Sequence, residues 1–119
     1  MPKWAETMLF VYETRNGTPF YRIRQKDAAS ASGFTDTPYS AAAWRETANA
    51  LTSFAFHGKL GNFTARAEER KEHLYWYAYH RTNGKLQKRY IGTSDQLTLD
   101  QLEHIADQFK AKTTRSLTL

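Results

Sequence analysis

Two Asn-Gly dipeptides constrain the fold of this chain more than any other feature. Asn-Gly between two β-rich runs is the strongest short-range signal for a β-hairpin. One dipeptide is Asn16-Gly17 and the other is Asn83-Gly84. The flanking runs are rich in aromatic and β-branched residues and cover residues 8–14, 19–25, 74–81 and 86–91. The sequence therefore predicts two antiparallel hairpins with Asn-Gly at their tips.

Helical periodicity follows the first hairpin. Ala41, Trp44, Ala48 and Leu51 recur at helical spacing, which predicts an amphipathic helix over residues 38–52. The proline at residue 38 suits the first turn of this helix, because its missing N–H has no partner there.

A second helix is predicted over residues 98–111. Thr98 is followed three residues later by Gln101, which is the capping-box pattern of a helix N-terminus. One apolar face then comprises Leu99, Leu102, Ile105, Ala106 and Phe109.

The remaining segments are predicted as one strand and its connections. Alternation of apolar and polar residues predicts a strand over residues 63–68. The predicted connections are a mobile loop at 26–37, a helix-to-strand turn at 58–61, a mixed-charge hairpin loop at 68–73 and a turn at 92–96.

Together these elements predict one α+β domain over residues 1–119. Residues 54–112 would form a three-stranded sheet packed on a C-terminal helix, and this sheet would be either separate from the first hairpin or continuous with it. Residues 1–53 would form a preceding hairpin plus helix, a second ββα unit, and residues 113–119 a flexible tail. The two similar halves fit an internal duplication, but any two Asn-Gly hairpins resemble each other, and both interpretations stay open.

Composition excludes several classes of function. The chain has no cysteine, which excludes disulfides, thiol catalysis and zinc–cysteine sites. Its four histidines lack both the spacing of a metal-binding pair and a nearby carboxylate cluster. No nucleophile elbow or phosphate-binding loop is present. We therefore predict a protein that is not an enzyme and has no catalytic residue, metal or cofactor.

Charge and hydropathy indicate the partner and the compartment. Lys and Arg total 17 against 12 Asp and Glu, and this net charge of +5 favours an anionic partner, most often nucleic acid. No apolar run approaches the ~18 residues of a membrane span. The N-terminal `MPKWAETMLFVYE` is unlike a secretory signal. The expected location is the bacterial cytoplasm, without membrane contact.

The most informative segment is residues 74–92, which contain no acidic residue. A two-residue loop at the second Asn-Gly would pair Tyr77 with Tyr90 and Tyr79 with Lys88. The basic residues of the segment are Arg81, Lys85, Lys88 and Arg89.

Because side chains alternate along a strand, the hairpin has two faces. The first face comprises Tyr75, Tyr77, Tyr79, Arg81, Lys88 and Tyr90. The second comprises Trp76, Ala78, His80, Gln87, Arg89 and Ile91. The second face suits packing on the helix, although its Gln and Arg fit only at an edge. On the first face, tyrosines could stack on sugars or bases while cations neutralise phosphates. A merely solvated Tyr-Lys surface is the alternative.

The run `YWYAYHRTNGKLQKRYIGTSDQLTLDQLEHIADQF` resembles the three-stranded-sheet-plus-helix DNA-binding domain of tyrosine recombinases, the arm-binding domain of phage integrases. The plant ethylene-response-factor domain has the same architecture. The shared features are an aromatic strand, a Gly-containing turn and a basic strand that ends here in Tyr90-Ile91-Gly92-Thr93, followed by a helix start. The catalytic Arg-His-Tyr set of the recombinases has no place on this chain.

The resemblance implies that the sheet lies in the DNA major groove with the helix behind it. It implies that Lys88 and Tyr90 face DNA and that Ile91 faces the helix. On the preceding strand it implies that Thr64 and Arg66 are exposed, and that Phe63, Ala65 and Ala67 lie on the core face.

Residues 52–106 also resemble a stretch near the N-terminus of large MalT-like bacterial transcriptional regulators. The segments that carry this likeness are `TSFAFHGKLGNFTARAEER`, `YWYAYHR` and `KRYIG`.

We therefore expect a DNA-binding module of a mobile-element protein or transcriptional regulator that contacts double-stranded DNA through the basic, tyrosine-rich face. The candidate DNA-binding residues are Thr64, Arg66, Tyr75, Tyr77, Tyr79, Arg81, Lys85, Lys88 and Tyr90. One alternative is a protein-interaction or oligomerisation module that uses the same face, since Tyr, Trp and Arg are enriched at interface hot spots. Homodimerisation is left open. A third interpretation is binding of single-stranded DNA or RNA by stacking on the tyrosines.

Overall fold

The structure, a computed structural model, describes the backbone of residues 7–82 and 84–118 and the side chains of residues 7–82 and 84–109. It has an α+β fold, which confirms the predicted class. The elements are β1 (Thr7–Glu13), β2 (Pro19–Lys26), β3 (Phe34–Pro38), α1 (Ala41–Asn49), β4 (Ser53–His57), β5 (Asn62–Arg70), β6 (His73–Thr82), β7 (Lys85–Gly92) and α2 (Leu99–Thr118). A short 3₁₀ turn at Ser94–Gln96 precedes α2.

All seven strands belong to one sheet with the order β3-β2-β1-β4-β5-β6-β7. The pairing of β1 with β4 is parallel and sets Met8 opposite Ala55, whereas every other neighbouring pair is antiparallel. This parallel pair joins the N-terminal and C-terminal halves edge to edge. The three-stranded sheet predicted for the C-terminal half is therefore one end of a larger sheet.

The core lies between one face of this sheet and the two helices. Trp44 of α1 packs edge-on against Phe54 of β4, with 4.8 Å between ring centroids. Phe109 of α2 packs against Phe63 of β5 at 6.1 Å and stacks on His80 of β6 at 5.0 Å. Both helices thus cover the same face of the sheet, which we term the inner face.

The register of the β6–β7 hairpin is the one expected from the sequence. Tyr77 lies opposite Tyr90 and Tyr79 opposite Lys88. A β-bulge between Trp76 and Tyr77 then inserts one extra residue, Ile91, which is buried. Trp76, Ala78 and Ile91 all lie on the inner face, as predicted. Asn83 of the predicted hairpin tip lies outside the described residues.

The β1–β2 hairpin has Asn16 and Gly17 in its loop, as predicted. The loop is longer than a two-residue turn, because Glu13 pairs with Pro19. The N–H of Gly17 donates to the carbonyl of Thr14 at 2.9 Å, and Gly17 adopts a φ of 77° that favours glycine.

Two strands were not expected. Residues 34–37 were predicted as the end of a loop and Pro38 as the start of a helix, but Phe34–Pro38 form β3 at the sheet edge, so the N-terminal unit is βββα and not ββα. All five residues of β3 are exposed, and an edge strand with no buried side chain carries no apolar alternation. Residues 53–57 form β4, so the turn at 58–61 connects two strands and not a helix and a strand. The alternation of buried Phe54 and Phe56 was the available signal.

The hairpin loop predicted at residues 68–73 is longer than the observed loop. The loop consists of Lys71 and Glu72 alone, and both have positive φ, 51° and 70°. Such a pair matches the twist of a two-residue hairpin turn. Glu68 consequently belongs to β5 and lies within the sheet.

Both predicted helices exist with shifted ends. The side chain of Ser40 accepts from the N–H of Ala43 and caps α1, whereas Pro38 ends β3. Thr98 caps α2 by accepting from the N–H of Gln101 at 3.3 Å, as the capping box predicted. The backbone of α2 stays helical to Thr118, past residue 111 and into the segment expected to be a tail. No helix in the described ranges is long and apolar enough to cross a membrane.

Candidate nucleic-acid interface

The face of the sheet opposite the helices, which we term the outer face, carries no helix in the part of the chain that the structure describes. Eight of the nine candidate residues project from this face, as the registers of β5, β6 and β7 require. They are Thr64, Arg66, Tyr75, Tyr77, Tyr79, Arg81, Lys88 and Tyr90. The ninth candidate, Lys85, pairs with Thr82 and so falls on the opposite side of β7.

A cation and several rings pack together at the centre of this cluster. Nζ of Lys88 lies 4.3 Å from the ring centroid of Tyr77 and 5.6 Å from that of Tyr79. The ring of Tyr90 lies 5.5 Å from Tyr77, edge-on, and 6.2 Å from Tyr75. Tyr90 is 54% exposed, so its ring has a free surface for stacking.

Glu68 places a carboxylate on the same face, although it is not among the candidate residues predicted from the sequence. It accepts a hydrogen bond from the Tyr79 hydroxyl, and its oxygens lie 3.0 Å from Nζ of Lys88 and 3.1 Å from a terminal nitrogen of Arg70. The residues 74–92 are free of acids, but the neighbouring strand supplies one. The patch is therefore less basic than its sequence indicates.

These contacts stabilise the charged form of Glu68. The hydrogen bond from Tyr79, followed by that from Lys88, lowers the pKa of Glu68 from its ordinary 4.5 to about 2. Because the folded-state pKa is lowered, the contribution of Glu68 to stability is present above about pH 4.5 and is lost as the pH falls towards 2. Glu68 is therefore ionised throughout the physiological range.

We define the β5–β7 patch as the charged and tyrosine residues that these three strands place on the outer face, which are Arg66, Glu68, Arg70, Tyr75, Tyr77, Tyr79, Arg81, Lys88 and Tyr90. Arg66 and Arg81 are exposed and flank the central cluster. The two cations that lie over the Tyr77 ring, Lys88 and Arg70, both pair with the Glu68 carboxylate. The patch keeps an excess of positive charge.

The polar residues that fitted the inner face poorly lie at its edge. Gln87 and Arg89 belong to β7, the last strand of the sheet. Arg89 donates to the side-chain oxygen of Gln108 on α2 at 3.1 Å, and its guanidinium lies 5.9 Å from the ring of Phe109. An edge position lets such side chains reach solvent while their stems cover the core.

A second group of rings and cations lies at the other end of the outer face. We define the β1–β3 patch as Phe10, Tyr12, Phe20, Arg22, Arg24, Lys26, Phe34 and Asp36. Sequence reasoning assigned no role to these residues. The same alternation that found the β5–β7 patch is present in `PFYRIRQK`, where Phe20, Arg22 and Arg24 face one way and Tyr21 and Ile23 the other.

Metal binding finds no support in the geometry of the described ranges. No group of three or more His, Asp or Glu side chains there is arranged to hold a metal ion.

Comparison with known proteins adds one match. Residues 50–101 match the model of a domain of unknown function, DUF6788. The matched segment contains β4, β5, β6, β7 and the start of α2, and therefore the whole β5–β7 patch. No curated protein and no solved structure is significantly similar to the chain.

Proposed function

We propose that this domain binds double-stranded DNA through the outer face of its sheet. The observation that carries the proposal is the charge of that face. Counting Lys, Arg, Asp and Glu in the described strands, this face carries seven cations, Arg22, Arg24, Lys26, Arg66, Arg70, Arg81 and Lys88, against two carboxylates, Asp36 and Glu68. Such an excess next to exposed rings suits a polyanion whose sugars and bases offer apolar surface.

The width of the sheet limits how DNA could be held. Seven strands span six interstrand spacings, about 29 Å, whereas the major groove is about 12 Å wide. The end formed by β5, β6 and β7 spans only two spacings, about 10 Å. Sheet twist of roughly 20–25° per strand keeps the other strands out of the groove, so they can meet the duplex only along its backbone. In the proposed complex the β5–β7 patch therefore lies in the groove, as the resemblance to the integrase arm-binding domains implies.

Binding should depend steeply on salt. We expect micromolar or tighter affinity for duplex DNA at 50 mM salt, weakening by one to a few powers of ten at about 200 mM, with a log–log slope of roughly 0.9 per phosphate contacted. Lys88→Ala and Arg81→Ala should each lower that slope by about 0.9. Fluorescence anisotropy with labelled duplex, single-stranded DNA and RNA at several salt concentrations measures this.

Arg45→Ala is the matched control, because Arg45 is an exposed cation on α1, on the opposite side of the sheet. It should leave the slope unchanged. No binding of any nucleic acid at 50 mM salt would overturn the proposal. Tighter binding of single strands than of duplex would instead favour stacking on the tyrosines.

A protein-binding role is favoured by one observation. Leu86 and Tyr90 on the outer face of β7 are 56% and 54% exposed, and such side chains next to arginines are typical of interface centres. Association through this surface would be insensitive to salt, which separates it from DNA binding. Gel filtration of the protein alone, compared with Leu86→Lys, measures any self-association.

Glu68→Gln should strengthen DNA binding by about threefold at 50 mM salt. Coulomb repulsion between a carboxylate and a phosphate about 6 Å away weakens binding by about threefold even in water, and the substitution removes this repulsion. The substitution also frees Lys88 and Arg70 from their ion pairs with Glu68. Glu69→Gln is the matched control, since Glu69 projects from the other side of the same strand. Weaker binding by Glu68→Gln would mean that the carboxylate holds Lys88 in the orientation needed for binding.

A further inference from the structure

The β1–β3 patch contains an exposed, stacked pair of rings. The rings of Tyr12 and Phe20 are 6.0 Å apart at an interplanar angle of 26°, and the two residues are 42% and 48% exposed. Phe34, at the sheet edge, is also 48% exposed. None of these three aromatic side chains points towards the helices, so core packing does not explain why they are aromatic.

Arginine side chains lie directly against these rings. The guanidinium of Arg22 lies 5.7 Å from the centroid of Tyr12, and its Nε donates to the Tyr12 hydroxyl at 3.3 Å. Arg24 lies between Phe10 and Phe34, at 4.9 and 5.8 Å from their centroids. Both guanidinium groups are therefore held in place before any ligand arrives.

One carboxylate offsets part of this charge. Asp36 accepts two hydrogen bonds from Arg24, at 2.8 and 3.0 Å, and those bonds lower the pKa of Asp36 below its ordinary range. Arg22 makes no ion pair among the described residues, so its charge is the less compensated of the two. The arrangement matches that of the β5–β7 patch, where Lys88 lies against Tyr77 and Glu68 compensates part of the charge.

The surface between the two patches is low. The outer face of β4 presents Ser53 and Ala55 and, at its end beside Phe10, the exposed His57, and Thr64 of β5 lies opposite Ala55. From β2 to β6 there are four interstrand spacings, about 19 Å. Small side chains thus separate the two groups of rings and cations at Ser53, Ala55 and Thr64, and a long polyanion can cross the sheet there to reach both groups.

From this geometry we infer that the β1–β3 patch is a second contact site for the same DNA, with Arg22 contacting a phosphate and the Tyr12–Phe20 pair packing on the adjacent sugar or base. The inference rests on the proposed function and extends it to the N-terminal strands. Phosphate and an adjacent apolar sugar face match a cation fixed beside a ring pair. The binding surface then spans both halves of the chain.

The test compares variants of the two patches on a duplex of about 20 base pairs. Arg22→Ala should weaken binding roughly fivefold to tenfold near 0.1 M salt and lower the log–log salt slope by about 0.9, as loss of one phosphate contact requires. Arg22→Lys should restore the slope. Tyr12→Ala with Phe20→Ala should weaken binding while leaving the slope intact, since rings release no counterions.

Each outcome separates the two proposals. If the wild-type protein binds duplex and Lys88→Ala lowers the slope, but Arg22→Ala behaves like Arg45→Ala, the second site is wrong and the proposed function stands. If the wild-type protein does not bind, both are wrong. Thermal melts of every variant show whether a loss of binding reflects unfolding, and Arg22→Lys supplies the folded comparison if Arg22→Ala melts early.

Discussion

Replacing Trp76 by alanine is expected to lower the free energy of unfolding by about 3–5 kcal/mol, the usual cost of deleting a buried aromatic side chain. Trp76 is 1% exposed, and its ring lies 5.3 Å from that of Phe54. For a chain of this size the melting temperature should fall by roughly 12–20 °C. Thermal and denaturant unfolding followed by circular dichroism measure both quantities.

Tyr90→Ala is the matched control, because Tyr90 lies on the other face of the same hairpin and is 54% exposed. Surface substitutions usually change stability by no more than about 0.5 kcal/mol, so this variant should melt near the wild type while binding DNA more weakly. A stable Trp76→Ala beside an unstable Tyr90→Ala would mean that the two faces of the hairpin are assigned the wrong way round.

Glu103→Ala is expected to cost about 2–4 kcal/mol, since hydrogen bonds to a charged group contribute about 1.5–3 kcal/mol each and partial solvation reduces their sum. The Glu103 carboxylate accepts from the N–H groups of Lys59 and Leu60, at 2.7 and 3.0 Å, and from the hydroxyl of Tyr21. It thereby ties α2 to the β4–β5 turn and to β2. Equilibrium unfolding in urea measures the loss.

Two further variants make this result specific. Asp107→Ala removes an exposed carboxylate one turn along α2 and should change stability little. Glu103→Gln should fall between the wild type and Glu103→Ala, because the amide keeps one acceptor oxygen but places N–H groups opposite a backbone N–H. Equal stability of Glu103→Ala and Asp107→Ala would show that the three hydrogen bonds contribute nothing net.

The position of the Glu103 carboxylate also explains why residue 58 is a glycine. A Cβ at Gly58 would lie 2.3 Å from a ring carbon of buried Phe56 and 2.4 Å from an oxygen of Glu103. No side chain fits there without moving the core ring or breaking the bonds to the turn. The residue is therefore glycine for reasons of space.

Local signals in the sequence were sufficient for the register of the β6–β7 hairpin and for the start of α2. The second Asn-Gly fixed the pairing of Tyr77 with Tyr90, and alternation then assigned Trp76 and Ala78 to the core, as observed. Thr98 caps α2 as its spacing to Gln101 indicated. In each case the physical cause lies within a few residues of its effect.

Features that depend on distant residues could not be predicted in this way. The parallel pairing of Met8 with Ala55 has no local signature, so the sequence could not decide between two sheets and one continuous sheet with a common outer face. Glu68 was predicted at the boundary between a strand and a charged loop, and its contact with Lys88 depends on the sheet register. The site predictions for DNA binding remain predictions, since they concern a ligand and not the fold.

The β1–β4 pair also governs how the chain can be divided. The segment that matches DUF6788 begins just before β4, and a fragment started there would leave the β4 edge without its partner strand. That edge presents a row of free N–H and C=O groups beside Phe54 and Phe56, which is a template for pairing with another chain. Expression of the matched segment alone should therefore give intermolecular β-association and precipitation. In the whole domain β1 pairs with the β4 edge, and the N-terminal strands thereby protect the sheet from this association.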